Sequence, residues 1–219
     1  ENVALQRRFF DRYLKGEQNG WDAEPKVEVE VRSTDDGVAQ RVTDTRWPLQ
    51  STRWTTMALD AGSGRLSDTV PTKPGSVSWD TKGKGVSFRT APLGLDCELA
   101  GPAVARLWVS SSTTYMDLFA TLCAWGPDGK EAVFFTAIEP RAPLSQGWLR
   151  VSQRKLDPKL STPWRPFHSH DESQYLAPGD IVEVQVEIWP MSLALPRGSV
   201  IELVIAGRDF EREQAVGPY

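Results

Sequence analysis

Apolar side chains recur at every second position in several segments of this chain, and that period limits what it can fold into. Valine alternates with charged residues over positions 27–32, and valine or isoleucine alternates with Glu and Gln over positions 182–188. A period of two places successive side chains on opposite faces of a β-strand. Both segments are therefore predicted to be strands with one buried face.

Further strand candidates follow at short intervals, and signals for turns or loops separate them. These candidates are residues 54–59, 86–90, 103–110, 117–125, 132–138, 148–156 and 200–206. Gly126-Pro127-Asp128-Gly129 is a strong turn signal and predicts a hairpin between two of these strands. About nine strands without a second helical pattern indicate an all-β protein, either a β-sandwich or a jelly roll.

The one helical pattern lies at the N-terminus. Leu5, Phe9 and Tyr13 are spaced four residues apart, and Phe10 and Leu14 widen the apolar stripe. A terminal helix with this much apolar surface is expected to pack against another apolar surface. We expect it to pack on the sandwich or on another copy of the chain.

Composition excludes some functional classes. The net charge of -4 argues against a nucleic-acid partner, because such proteins usually present a basic surface. No apolar run approaches the roughly 18 residues that would predict a membrane span. Cys97 and Cys123 lie in strand-like contexts and are interpreted as free thiols, which favours the cytoplasm; a disulfide between them is the alternative.

The chain lacks a visible set of hydrolytic residues. No G-x-S-x-G motif occurs, and the only two histidines, His168 and His170, lie in one polar loop. Ser-His-Asp chemistry needs a nucleophile, a base and an orienting carboxylate that converge in space. Residues of the chain are therefore assigned neither a catalytic role nor cofactor binding.

His168, His170 and Asp171 are the candidate metal ligands. A H-x-H sequence on a strand would point both imidazoles to one face, and the carboxylate could complete the site. However, these residues lie in a proline-rich loop, which favours a solvated loop or a contact with a partner domain. Asp96, Asp117 and Asp180 are a second possibility, as ligands for calcium.

Nine tryptophans are unusual for a chain of this length. The simpler interpretation is that they anchor the core and interfaces, since each indole buries on the order of 200 Å². The alternative is an autonomous carbohydrate-binding module, because flat indoles stack on sugar rings. That alternative needs exposed indoles on one face, and its candidates are Trp164, Trp79 and Trp21.

Eight short motifs follow one another along the chain, at residues 88–93, 101–102, 107–112, 116–119, 127–129, 146–150, 176–180 and 187–190. In this order they resemble the C-terminal jelly roll of the X-Pro dipeptidyl-peptidase/cocaine esterase (CocE/NonD) family of serine hydrolases. Residues 8–16 resemble the last helix of that family's α/β-hydrolase domain. The resemblance covers residues 5–210.

The resemblance implies a domain division and a role. Residues 1–20 would be the terminal helix of an upstream hydrolase domain, and residues 21–219 a jelly roll of galactose-binding-like fold that lacks its last strand. The catalytic Ser, Asp and His would lie upstream, in a domain that cleaves an ester or an amide. The jelly roll would pack on that domain and shape the active-site surroundings or a homo-oligomer.

A third hypothesis is that the chain is a metal-dependent enzyme that uses His168 and His170. This hypothesis requires bound metal.

Overall fold

The structure, a computed structural model, describes residues 2–136 and 139–211. In them, one α-helix, α1 (Asn2–Lys15), precedes ten strands, and short 3₁₀ helices lie at Trp21–Ala23 and Val151–Gln153. The strands are β1 (Val27–Arg32), β2 (Val38–Asp44), β3 (Ala58–Asp60), β4 (Arg65–Ser67), β5 (Val86–Arg89), β6 (Cys97–Val109), β7 (Asp117–Trp125), β8 (Ser145–Arg150), β9 (Val182–Leu195) and β10 (Val200–Ala206).

The strands form two mixed sheets that face each other. The smaller sheet has the order β2-β1-β9-β6, and the larger has the order β3-β4-β5-β10-β7-β8. Pairing is antiparallel except where β1 meets β9 and where β4 meets β5. This arrangement confirms the predicted all-β sandwich with one N-terminal helix.

The core lies between the sheets and is built from the alternating residues that the sequence pattern places inward. On β9 Val184, Val186 and Ile188 are buried and alternate with less buried residues, whereas β7 is buried on both faces from Ala120 to Ala124. Fully burying an aliphatic side chain contributes about 1.5–3 kcal/mol, so these strands anchor the fold. The period of two thus determines the buried face of β9.

Some predicted element boundaries were wrong. Of residues 54–59, only the last two belong to a strand, β3, and the predicted strand at 148–156 ends at Arg150, where the 3₁₀ helix begins. Residues 132–136 make only an isolated bridge at Phe134, and residues 137–138 lie outside the described residues. The sequence pattern missed β2 because most of its side chains are exposed, and missed β4 because it has three residues.

The N-terminal helix forms where its apolar pattern predicts it. Among the described residues it packs mainly against the 3₁₀ helix at Trp21–Ala23, and the expected packing on the sandwich is not observed. Packing on another copy of the chain stays a prediction. Cys97 and Cys123 are both free thiols, as predicted. In the described part of the chain, no helix is long and apolar enough to cross a membrane.

Candidate functional site

The apolar side of α1 is the most extensive uncovered helical surface among the described residues. Its members, here called the helix face, share one side of the helix and are all at least 40% exposed: Leu5, Phe9, Phe10, Tyr13 and Leu14. Phe9 contacts the rings of Phe10 and Tyr13, at 5.2 and 4.8 Å between centroids. Rings that already contact one another form a continuous apolar surface.

The opposite side of α1 is tied to the segment that follows it. Arg12 forms a bidentate pair with Asp22, at 3.2 and 2.7 Å, and Arg8 lies 2.6 Å from Glu24. The hydrogen bonds and charge of Asp22 raise the pKa of the Arg12 guanidinium. Asn19 donates to the carbonyl of Arg8 at 2.8 Å. These contacts fix the orientation of the helix. Trp21 packs edge-on against Phe9 at one border of the helix face, and the other members of that face stay largely exposed.

A second uncovered region is the long connection between β4 and β5. Residues 68–85 contain no strand, and most of their side chains are exposed, including Val70. Structureless connections longer than about 12–15 residues are uncommon in compact domains and usually serve binding or catalysis. Only local turn bonds hold the tip, such as those to the Asp80 carbonyl and carboxylate.

The sandwich is open along β6. This 13-residue strand ends the order of the smaller sheet, so in the described residues no strand pairs with its outer edge. Beside it an open cleft is lined by side chains of both sheets, among them Phe88, Leu99, Leu107 and Leu203.

The candidate metal ligands do not converge on one point. The rings of His168 and His170 lie 6.2 Å apart, and Nδ1 of His170 lies 3.3 Å from the Gln153 amide oxygen. The Asp171 carboxylate accepts hydrogen bonds from Ser169 and Lys155, which lower its pKa. Across the described ranges, no three His, Cys, Asp or Glu side chains group closely enough to hold a metal ion.

The His168 ring is half-buried, and this burial affects both its pKa and the hydrogen bonding of its Nε2 atom. Burial is the main cause that lowers its pKa, and the neighbouring His170 adds to the effect. Among the described residues, its buried Nε2 atom has no hydrogen-bond partner. The same loop contacts β9 through Arg165, which lies 3.8 Å from Glu187.

The three acidic residues considered for calcium are each placed differently. Asp96 accepts the main-chain N–H of Arg197 at 2.7 Å, and Asp117 forms a bidentate pair with Arg150. That pair lowers the pKa of the Asp117 carboxyl. Asp180 follows the turn before β9. The structure does not bring these three residues into one site.

The three candidate sugar-binding tryptophans lie in three different parts of the molecule. Trp21 packs edge-on against Phe9 of α1, 5.3 Å between centroids. Trp79 packs against the core, and its ring nitrogen is buried without a partner. Trp164 stacks on Trp54 at 4.8 Å. They form no common platform.

Sequence reasoning missed a different pair of tryptophans that the fold does bring together. Trp148 on β8 and Trp189 on β9 lie 5.1 Å apart, with their ring planes tilted by 41°. Both are exposed. The two residues belong to different sheets, so no spacing along the sequence could reveal the pair. The nearest signal was Gly147, a glycine inside a strand, which often marks a close approach of two backbones.

Comparison with known proteins identifies the domain. Residues 19–216 match the family described as the X-Pro dipeptidyl-peptidase C-terminal non-catalytic domain. A putative Xaa-Pro dipeptidyl-peptidase of Streptomyces avermitilis is 25% identical over 94% of this chain and 35% of its own length. The cocaine esterase of Rhodococcus sp. is 27% identical over 59% of this chain and 29% of its own length.

Solved structures agree with the sequence comparison. A CocE/NonD family hydrolase from Staphylococcus aureus matches 97% of this chain and 39% of its own chain, with 30% identity and a TM-score of 0.88. The chain thus spans little more than a third of the proteins it resembles. It belongs to the family of X-Pro dipeptidyl-peptidase C-terminal non-catalytic domains.

Proposed function

We propose that this chain is the accessory C-terminal domain of an α/β serine hydrolase, on which it packs and whose active-site surroundings it helps to shape. It performs no catalysis alone. The observation that carries the proposal is the helix face. Exposed aromatic residues gathered on one side of a helix favour burial against another surface, since each contributes about 1.5–3 kcal/mol when it is covered.

In this proposal residues 1–20 belong to the hydrolase domain and residues 21–219 form the accessory domain. The family match begins at residue 19, close to that boundary, which supports the division. The weak packing of α1 on the sheets also supports it, because a helix usually packs on the domain to which it belongs.

The proposed parent enzyme cleaves an ester or an X-Pro amide through an acyl-enzyme intermediate. The relatives carry names of both kinds, a dipeptidyl-peptidase and an esterase, which supports the hydrolase class without choosing a substrate. The nucleophile, base and oxyanion hole of such chemistry would lie in the hydrolase domain.

We also propose that a further strand covers the outer edge of β6. Thirteen residues of edge with an apolar opening beside it favour pairing with another strand. The occupant comes from outside the described residues, in keeping with the last strand expected from the family resemblance. An antiparallel strand there would close the sandwich and bury the side chains of Leu99 and Leu107.

A homo-oligomer remains part of the proposal. Its support is the amount of exposed apolar surface, which includes Leu95 and Ile181 in addition to the helix face. Sedimentation velocity of the intact polypeptide tests it, and a single monomeric species at micromolar concentration would contradict it.

The accessory role is tested by placing a charge on the helix face of the intact polypeptide. Phe10→Asp should lower its melting temperature and hydrolase activity, because the aspartate must be desolvated when the domains dock. Lys15→Ala, on the opposite side of the same helix, is the matched control and should leave both quantities unchanged. Equal behaviour of the two variants would contradict docking through the helix face.

A further inference from the structure

Trp148 and Trp189 form an exposed aromatic pair where the two sheets meet at one corner of the sandwich. They are 49% and 60% exposed, and their ring centroids are 5.1 Å apart. The ring planes are tilted by 41°, so the two indoles are neither parallel nor perpendicular to each other. Two large indoles left uncovered side by side present far more apolar surface than single scattered residues do.

The backbone around the pair holds it in place. A side chain at Gly147 would overlap the main chain of Glu187, so the glycine permits β8 to lie directly against β9. The buried Ser145 hydroxyl donates to the carbonyl of Trp189 at 2.6 Å. Both strands are therefore fixed next to the indoles, and a ligand would bind to rings that are already positioned.

The groups next to the pair are polar, and most of their charges are paired. On β8, Gln146 and Arg150 lie on the same face as Trp148. The Gln146 amide is 3.5 Å from the carboxylate of Asp209, and Arg150 is paired with Asp117.

On β9, Glu187 lies two residues before Trp189 and 3.8 Å from Arg165. The pair thus has hydrogen-bonding neighbours on both strands. Two arginines and three carboxylates give these neighbours a net charge of -1, and each arginine is paired with a carboxylate. The centre of a protein–protein interface is depleted of charged residues, so this setting favours a polar neutral ligand.

We propose that the Trp148–Trp189 pair is a binding site for a neutral carbohydrate. The C–H faces of a pyranose ring would pack on the two indoles, and its hydroxyl groups would bond to Gln146, Arg165 and Glu187. This matches the general form of a ligand site, an apolar surface with a few oriented polar groups. The site is independent of the proposed accessory role, because neither the helix face nor the edge of β6 takes part in it.

Affinity electrophoresis of the intact polypeptide tests the site. Native gels would contain laminarin, hydroxyethyl cellulose, xylan or galactomannan, and at least one should retard the protein. Trp189→Ala and Trp148→Ala should each weaken that retardation about tenfold, which corresponds to about 1.4 kcal/mol. Trp108→Ala is the matched control, since Trp108 is also exposed on a strand but lies on β6.

Two outcomes would overturn the proposal. One is that none of the four polysaccharides retards the unmodified protein. The other is that Trp108→Ala weakens binding as much as Trp189→Ala does. Trp189→Phe guards against an effect of misfolding, because it keeps an aromatic face and should retain binding within about threefold.

Discussion

At the scale of single residues, Asp44 organises the turn that leaves β2. Its carboxylate accepts the main-chain N–H groups of Thr45 at 2.6 Å and of Gln50 at 2.7 Å, and the Gln50 side-chain amide donates to it at 2.7 Å. These bonds lower its pKa to about 2. Because the pKa falls on folding, the stability that Asp44 contributes is present above its unfolded pKa and is lost as pH falls toward 2.

Gln50→Leu should raise the pKa of Asp44 toward its ordinary value of 3.8, because the Gln50 side-chain bond is the largest cause of the shift. The main-chain donors remain, so the value should stay below 3.8. Carbon NMR titration of the carboxyl group measures it. Gln40→Leu, on the same strand β2 but remote from Asp44, is the control, and an unchanged midpoint in Gln50→Leu would contradict this assignment.

A substitution at Gly147 tests how closely β8 and β9 approach each other. Gly147→Ala should destabilise the fold by about 1–3 kcal/mol, because the added methyl group overlaps the Glu187 backbone. Gly94→Ala is the control, since nothing lies within 4 Å of a methyl group there. Equilibrium denaturation with urea compares the two, and equal stability would mean that the strands can move apart without cost.

At the scale of elements, one buried side chain joins the loop after β5 to β10. The Thr90 hydroxyl accepts the main-chain N–H of Ile201 at 3.0 Å, and the Thr90 N–H donates to the Ile201 carbonyl at 2.9 Å. Thr90→Val keeps the shape but leaves a buried N–H without an acceptor. It should cost about 1–3 kcal/mol in urea denaturation.

Thr43→Val on the exposed strand β2 is the control and should change stability by less than about 0.5 kcal/mol. A loss in Thr90→Val no larger than in this control would show that water replaces the hydroxyl.

Local patterns predicted most elements because the period of a segment depends only on its own residues. β1 and the first half of β9 show this, since apolar residues alternate with polar ones in each. β2 and β4 were missed because an exposed edge and a three-residue strand carry little pattern. The Trp148–Trp189 pair was missed for another reason, since strand packing across sheets leaves no local signal.

At the scale of the whole molecule, the uncovered surfaces lie in distinct regions and suit different contacts. The helix face is apolar and aromatic, the edge of β6 offers main-chain hydrogen bonds, and the tryptophan pair has polar neighbours. The sequence shows no G-x-S-x-G motif and has its two histidines in one loop. The sequence could not locate these surfaces, because each depends on which strands and helices the folded chain leaves uncovered.

We have proposed that this non-catalytic domain is joined to a serine hydrolase. Labelling the native polypeptide with a fluorophosphonate probe, followed by intact-mass and peptide mapping, tests that proposal. We expect a labelled polypeptide of about 60–70 kDa, the size expected with one added hydrolase domain, and a modified serine outside residues 1–219. A label on a serine of this chain, such as Ser152, or a native polypeptide of only 24.4 kDa would contradict it.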